Sequence, residues 1–224
     1  MFHQIFIATL FLLLPLISFA KSTQYNIYAE LSEEATKIAQ GVSSQLQEHQ
    51  LESFYTKGKQ VHLTLYLTSF PEEVLPEIEQ IITHFVKQRN SFEVAIRGYS
   101  QTKNNWLFLD TEYNEPLQDL SDHLALALKK LRDPHPEMPG WMSGYPEKKR
   151  AFERYGSPNV FHNFDPHITL IANGDGMKIE QFLSLAVVPT QKFKVIGIGV
   201  SAVDEFGQFS TSLSHSFFPN SPTF

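Results

Sequence analysis

Two strand-like tetrapeptides, His62-Leu63-Thr64-Leu65 and His167-Ile168-Thr169-Leu170, stand about half a chain apart and differ only by a Leu-to-Ile exchange. Side chains of a β-strand alternate between faces, so His62 and Thr64 share one face, as do His167 and Thr169, while the aliphatic residues between them face a core. A single His-x-Thr in a strand is ordinarily a histidine capped by nearby backbone. Two copies at corresponding places of a repeated pattern point instead to a chain built twice on one plan.

The surrounding periodicity repeats with the motif. Tyr25 to Glu30 alternates as a strand, and a helix opened by Ser32 follows, with Ile38, Val42 and Leu46 on one face. Gln60 to Thr68 forms the first His strand. Ser69 with Glu72 reads as a capping box for a helix carrying Val74, Leu75, Ile78, Ile81, Ile82 and Phe85, and Phe92 to Ile96 alternates as a strand. The second half runs in the same order: a strand over Trp106 to Asp110, a helix with Leu117, Leu120, Leu124, Leu128 and Leu131 in one stripe, then the His167 strand. A helix over Met177 to Ala186 and a strand from Phe193 complete it. A long irregular stretch is expected between Asp133 and Asp165, and a final hairpin around Phe206-Gly207 brings back Phe209 to Leu213. Two equivalent lobes, roughly 21–100 and 101–224 and interleaved, would set both His-x-Thr faces across one cleft.

Residues 1–20 stand apart from this plan. Phe6 to Ile17 is apolar and uncharged, and Ser18-Phe19-Ala20 places small residues three and one positions before Lys21, the pattern of a secretory signal, although no Lys or Arg precedes the run. The run is short for a membrane span, and an uncleaved anchor is the alternative, the one route to a membrane association. The expectation is an exported, periplasmic or secreted domain. The remaining chain, with 42% hydrophobic and 13% aromatic residues overall, can bury a full core. With no cysteine there is no disulfide, thiol nucleophile or thiolate zinc site. A net charge of −6 argues against wrapping long nucleic acid, though not against one nucleotide or an oligonucleotide end.

Two imidazoles facing one cleft divide acid from base. One takes a proton while the other gives one, which is what in-line displacement at phosphorus requires on opposite sides of the phosphate. The Thr64 and Thr169 hydroxyls can donate to the non-bridging oxygens where charge accumulates. This chemistry calls for no metal or other cofactor.

With these four residues the chain resembles the two-histidine (2H) phosphoesterase superfamily, which includes the bacterial 2'-5' RNA ligase-like proteins and RNA cyclic phosphodiesterases. Its signature is a pair of His-x-Thr/Ser-x motifs with apolar x positions, and the resemblance spans essentially everything after residue 20. It implies a bilobal, duplicated α+β fold of small antiparallel sheets with helices outside and a central cleft. It also implies metal-independent opening of 2',3'-cyclic phosphates or related nucleotide and RNA-end phosphodiesters, with His62 and His167 as acid and base and Thr64 and Thr169 holding phosphate. The Arg that commonly follows the second motif in the RNA ligase-like branch is absent, since Leu170 is followed by Ile171, Ala172 and Asn173.

Compensation could come from the 133–165 insert. The insert carries Lys148 as well, and because bases stack on aromatics and phosphates pair with cations it could be a substrate lid, with Trp141, Tyr145, Lys149, Arg150, Arg154 and Tyr155 as candidate substrate-binding residues. The protein is expected to be a monomer, and two other classes compete: a module that binds a nucleotide or phosphorylated ligand without turnover, and a metal-dependent hydrolase on His135, His162, Asp165 and His167, whose spacing fits no established ligand pattern. His84 and His123 read as helix-surface residues, and no Gly-x-Ser-x-Gly elbow supports a serine hydrolase.

Overall fold

The computed structural model describes residues 21–221; the leader assigned to residues 1–20 lies outside the described residues. The fold is α+β, with helices covering a continuous, bent antiparallel sheet in the strand order β2-β1-β6-β3-β4-β5, and β7 added to the edge of β6. The elements are β1 (Ser22–Leu31), α1 (Glu33–Glu48), β2 (Leu63–Pro71), α2 (Leu75–Val86) and β3 (Phe92–Gln101), then β4 (Leu107–Thr111), α3 (Glu115–Leu128), α4 (Pro146–Tyr155), β5 (His167–Ile171), α5 (Gly176–Leu185), β6 (Lys192–Ala202) and β7 (Ser214–Phe217). Each half therefore runs strand, helix, His strand, helix, strand, with α4 added to the second.

The sheet does not respect the halves. β3 ends the first repeat but runs Ile96 to Gln101 against β4 of the second, and β6 ends the second repeat but pairs over most of its length with β1 of the first. The two exchanged strands meet where Phe92 to Ala95 pairs with Val195 to Lys192. Three-strand units β2-β1-β6 and β5-β4-β3 result, related by an approximate two-fold, each with its His strand at the outer edge.

The helices form where apolar periodicity predicts them. In α1, Ile38, Val42 and Leu46 are buried; in α3, Leu117, Leu120, Leu124 and Leu128 are fully buried, and Asn114 caps the first turn by accepting from Leu117 N at 3.1 Å. Four local expectations are corrected. Ser32 stands at the N-cap position of α1 as expected but makes no side-chain capping bond, because its Oγ is taken by the backbone N–H of Lys194 on β6. Ser69 and Glu72 form no capping box: β2 runs on to Pro71, and Glu72 instead accepts from Thr23. Phe209 to Leu213 is not the returning strand, which is Ser214–Phe217. The fourth lies in the insert.

The 133–165 stretch is not irregular throughout, for it contains α4. The Tyr66 hydroxyl donates to Tyr155 O, and Thr68 Oγ1 donates to Gly156 O at 2.8 Å, so β2 ties down the helix end. Gly156 closes α4 with φ of +74°, a left-handed conformation that β-carbon-bearing residues adopt at a cost, and a β-carbon there would also run into Thr68 Oγ1 and come within 2.8 Å of Arg132 Cδ. Gly156→Ala should lower stability by about 1–3 kcal/mol, read as a drop in the denaturation midpoint; an unchanged midpoint would mean the insert is not anchored in this way.

Candidate functional site

The two motifs fold alike down to their irregularities. In the first, Tyr28 pairs with Thr64 and Ile27 with Tyr66, so Leu65 is left out of the ladder as a bulge. In the second, Phe108 pairs with Thr169 and Leu107 with Ile171, which leaves out Leu170 at the equivalent place. A carbonyl left out of a ladder needs a donor. Leu65 O accepts from Ser121 Oγ of α3 at 2.7 Å, and Leu170 O accepts from Phe54 N at 2.8 Å. Each His strand is thus stapled by a residue from the opposite half, and this draws the two outer edges of the sheet together.

Both imidazoles are held in one way. His62 stands immediately before β2 and donates from Nδ1 to Gln60 O at 2.9 Å; His167, the first residue of β5, donates from Nδ1 to Asp165 O at 2.7 Å. A backbone carbonyl only accepts, so Nδ1 carries the hydrogen in both rings and Nε2 is left to gain or lose a proton. Aromatic rings fix the orientations. Phe108 stacks on His167 with centroids 4.0 Å apart, while His62 lies 4.7 Å from Phe209 and edge-on to Tyr28 at 5.8 Å.

Register also places a carboxylate beside His167. Asp110 lies directly opposite His167 across the β4–β5 ladder. Its oxygens accept from Arg97 at 3.0 Å and Ser100 at 2.9 Å. Arg97 is the residue left out where β3 passes from Ile96 to Gly98 against β4, and that bulge aims it at both Asp110 and Asp165. The counterpart in the first half is Glu30, two residues after Tyr28 as Asp110 is two after Phe108. It is buried and accepts from Tyr28 Oη at 2.8 Å and Gln60 Nε2 at 3.3 Å, with His215 Nδ1 at 4.0 Å. Burial pushes the Glu30 carboxyl up.

The two half-sites sense each other. Burial drives the His62 imidazole down to about 4, the bond to Gln60 opposes this, and a charge on His167 lowers it further. Burial also lowers His167, against the bond to Asp165 and the Asp165 and Asp110 carboxylates. His62 and Thr169, one residue from each motif, line a single cavity with Lys59, Gln60 and Gln208. Lys59 is paired with Asp204 at 2.8 Å. Thr64 Oγ1 accepts from Asn26 Nδ2 at 2.9 Å, which leaves its hydrogen free to donate.

The insert residues divide. Lys149 and Arg150 pair with Glu153 and Glu147 on the exposed face of their own helix, and Arg154 lies over the Tyr155 ring, which packs on Phe161. Trp141 and Tyr145 form a half-exposed edge-on pair. Lys148 is the cation whose charge reaches His167. Among the described residues His135, His162 and Asp165 do not gather with His167 into a group of three or more metal-ligating side chains.

The residues missed in the sequence are Phe108, Phe209, Arg97, Asp110, Glu30 and Asn26. One signal was present: Tyr28-Ala29-Glu30 and Phe108-Leu109-Asp110 repeat an aromatic, an aliphatic and an acid in the strand preceding each His strand.

The sequence profile of the 2'-5' RNA ligase superfamily matches residues 30–204, most of the chain, so the protein belongs to that superfamily, within the two-histidine phosphoesterases. Among solved structures it is similar to TT0787 of Thermus thermophilus, with a TM-score of 0.55 and 19% identity over 87% of this chain and 97% of that one. It is also similar to E. coli LigT complexed with 3'-AMP, with a TM-score of 0.52 and 13% identity over 89% of this chain and 99% of that one. At these identities the likeness is one of fold. No curated protein matches the chain by sequence.

Proposed function

We propose that the protein is a phosphodiesterase that hydrolyses 2',3'-cyclic phosphates or related nucleotide and RNA-end phosphodiesters by acid–base catalysis between His62 and His167, without a metal. The observation that carries this reading is the matched anchoring of both rings through Nδ1, which presents two Nε2 atoms for proton transfer. One neutral imidazole takes a proton from the attacking water as its oxygen bonds to phosphorus. The other, protonated, gives its Nε2 hydrogen to the ribose oxygen as that P–O bond breaks, so the proton count of the pair is unchanged. The Thr64 and Thr169 hydroxyls donate to the non-bridging oxygens. A nucleotide substrate accords with the 3'-AMP complex of LigT, whose fold this chain shares.

Turnover of a panel of 2',3'-cyclic nucleotides in excess chelator tests the reading. Hydrolysis that persists under chelation is expected, and no turnover of any member, or turnover only with added metal, would overturn it. The carboxylates supply a finer check. Asp110 favours the charged form of His167, whereas the carboxylate that favours the charged form of His62 is Asp204, and Glu30 is bonded to the Tyr28 and Gln60 side chains. Asp110→Asn should therefore move the alkaline limb of the kcat/KM profile to lower pH, and Glu30→Gln should leave that limb in place; an unmoved limb in Asp110→Asn would refute the electrostatic part of this account.

A further inference from the structure

The cations of α4 are not equivalent. Lys149, Arg150 and Arg154 are spent on glutamates of their own helix or on an aromatic ring, whereas Lys148 turns inward. Its Nζ donates to Asn159 Oδ1 at 2.7 Å and lies 5.9 Å from the centroid of Trp141. Its one carboxylate influence is Asp165, which is 3.8 Å from Arg97. Half-buried and without a full counter-charge, the ammonium is pushed below its ordinary proton affinity. A buried charge in that condition gains from an anion that replaces lost hydration.

Lys148 is held from the insert side, by Asn159 and over the Trp141 ring, and its charge reaches His167 from there. Close to it are Trp141 and Tyr145, 46% and 48% exposed, an edge-on aromatic pair of the kind on which a base stacks. The insert is also fixed in place, since β2 holds the far end of α4 through Tyr66 and Thr68.

We infer that Lys148, with Trp141 and Tyr145, forms a subsite for the nucleotide upstream of the scissile phosphate: Lys148 pairs with the preceding phosphodiester and the aromatic pair stacks a base. Resting on the phosphodiesterase reading, this assigns an oligonucleotide end, rather than a free mononucleotide, as the preferred substrate class.

Two measurements test it. With Lys148→Gln, kcat/KM on a short oligoribonucleotide ending in a 2',3'-cyclic phosphate should fall about tenfold or more through KM, the scale of one charge-assisted hydrogen bond. Turnover of a mononucleoside 2',3'-cyclic phosphate, compared at each protein's own pH maximum because Lys148 also acts on His167, should change less than about twofold by the same reckoning. Equal losses on both substrates, or none on either, would overturn the subsite. Binding is read separately, by fluorescence anisotropy of a labelled oligoribonucleotide ending in a 3'-phosphate. A Kd weakened about tenfold in Lys148→Gln and also weakened in Trp141→Ala supports the subsite even if the protein hydrolyses no cyclic phosphate, and a Kd unchanged in both variants refutes it.

Discussion

Replacing either His62 or His167 with Ala should reduce kcat on a 2',3'-cyclic nucleotide by about 100- to 10,000-fold, the usual worth of a positioned acid or base. The double variant should be little worse than the poorer single one, because a pair that passes one proton in and one out works as a unit. The loss expected in kcat is one of chemistry, distinct from any cost to folding. Each ring makes one bond to a backbone carbonyl and packs on a phenylalanine, so its removal leaves a space and an unpaired carbonyl, at a cost to stability that is larger for the buried His62. Far-UV circular dichroism and the denaturation midpoint separate the two effects. A folded His62→Ala or His167→Ala protein that retains wild-type turnover would remove the acid–base pair from the reaction.

The second large effect is on pH dependence. On the proposed mechanism the competent free enzyme has one imidazole charged and the other neutral. Burial pushes His62 down to about 4 and His167 below the ordinary imidazole range, so the state with one ring charged and one neutral is populated on the acid side of that range and lost as pH rises. The profile of kcat/KM should be a bell with its maximum on the acid side of the ordinary imidazole range, falling about tenfold per pH unit on the alkaline side. Because the rings repel each other's charge, the two apparent values belong to the pair. The bound phosphodiester is an anion that favours imidazolium, so the alkaline limb of kcat should lie at higher pH than that of kcat/KM. A kcat/KM maximum above about pH 7 in steady-state assays would contradict the burial of these groups.

Much of this was legible in the residues because it rests on local period. The alternation around His62 and His167 and the leucine stripe of α3 mark elements whose burial is set by spacing alone. Long-range pairing is where that reading stops. Nothing near Ser32 indicates that a backbone amide of Lys194, far along the chain, will claim its hydroxyl in place of a cap. The insert was hidden for a different reason. Pro-Glu-Lys-Lys-Arg is so polar that α4 buries little more than Ala151 and Phe152, and its stability comes from β2 holding its carboxyl end. At the candidate site, the four motif residues stood out by repetition. Phe209 did not, because it reaches His62 from a loop with no counterpart in the first half.

The exchange of β3 and β6 bears on how the chain folds. Each half gives its last strand to the sheet of the other and receives one back, the arrangement of a domain-swapped homodimer whose two copies have been joined end to end. A half severed between β3 and β4 would present β1 and β3 edges with no partner, and would complete itself only by meeting the other half. The covalent link between the repeats makes that encounter intramolecular, and it leaves the chain free to let its two copies diverge, one keeping a buried glutamate behind its histidine and the other an arginine-bound aspartate.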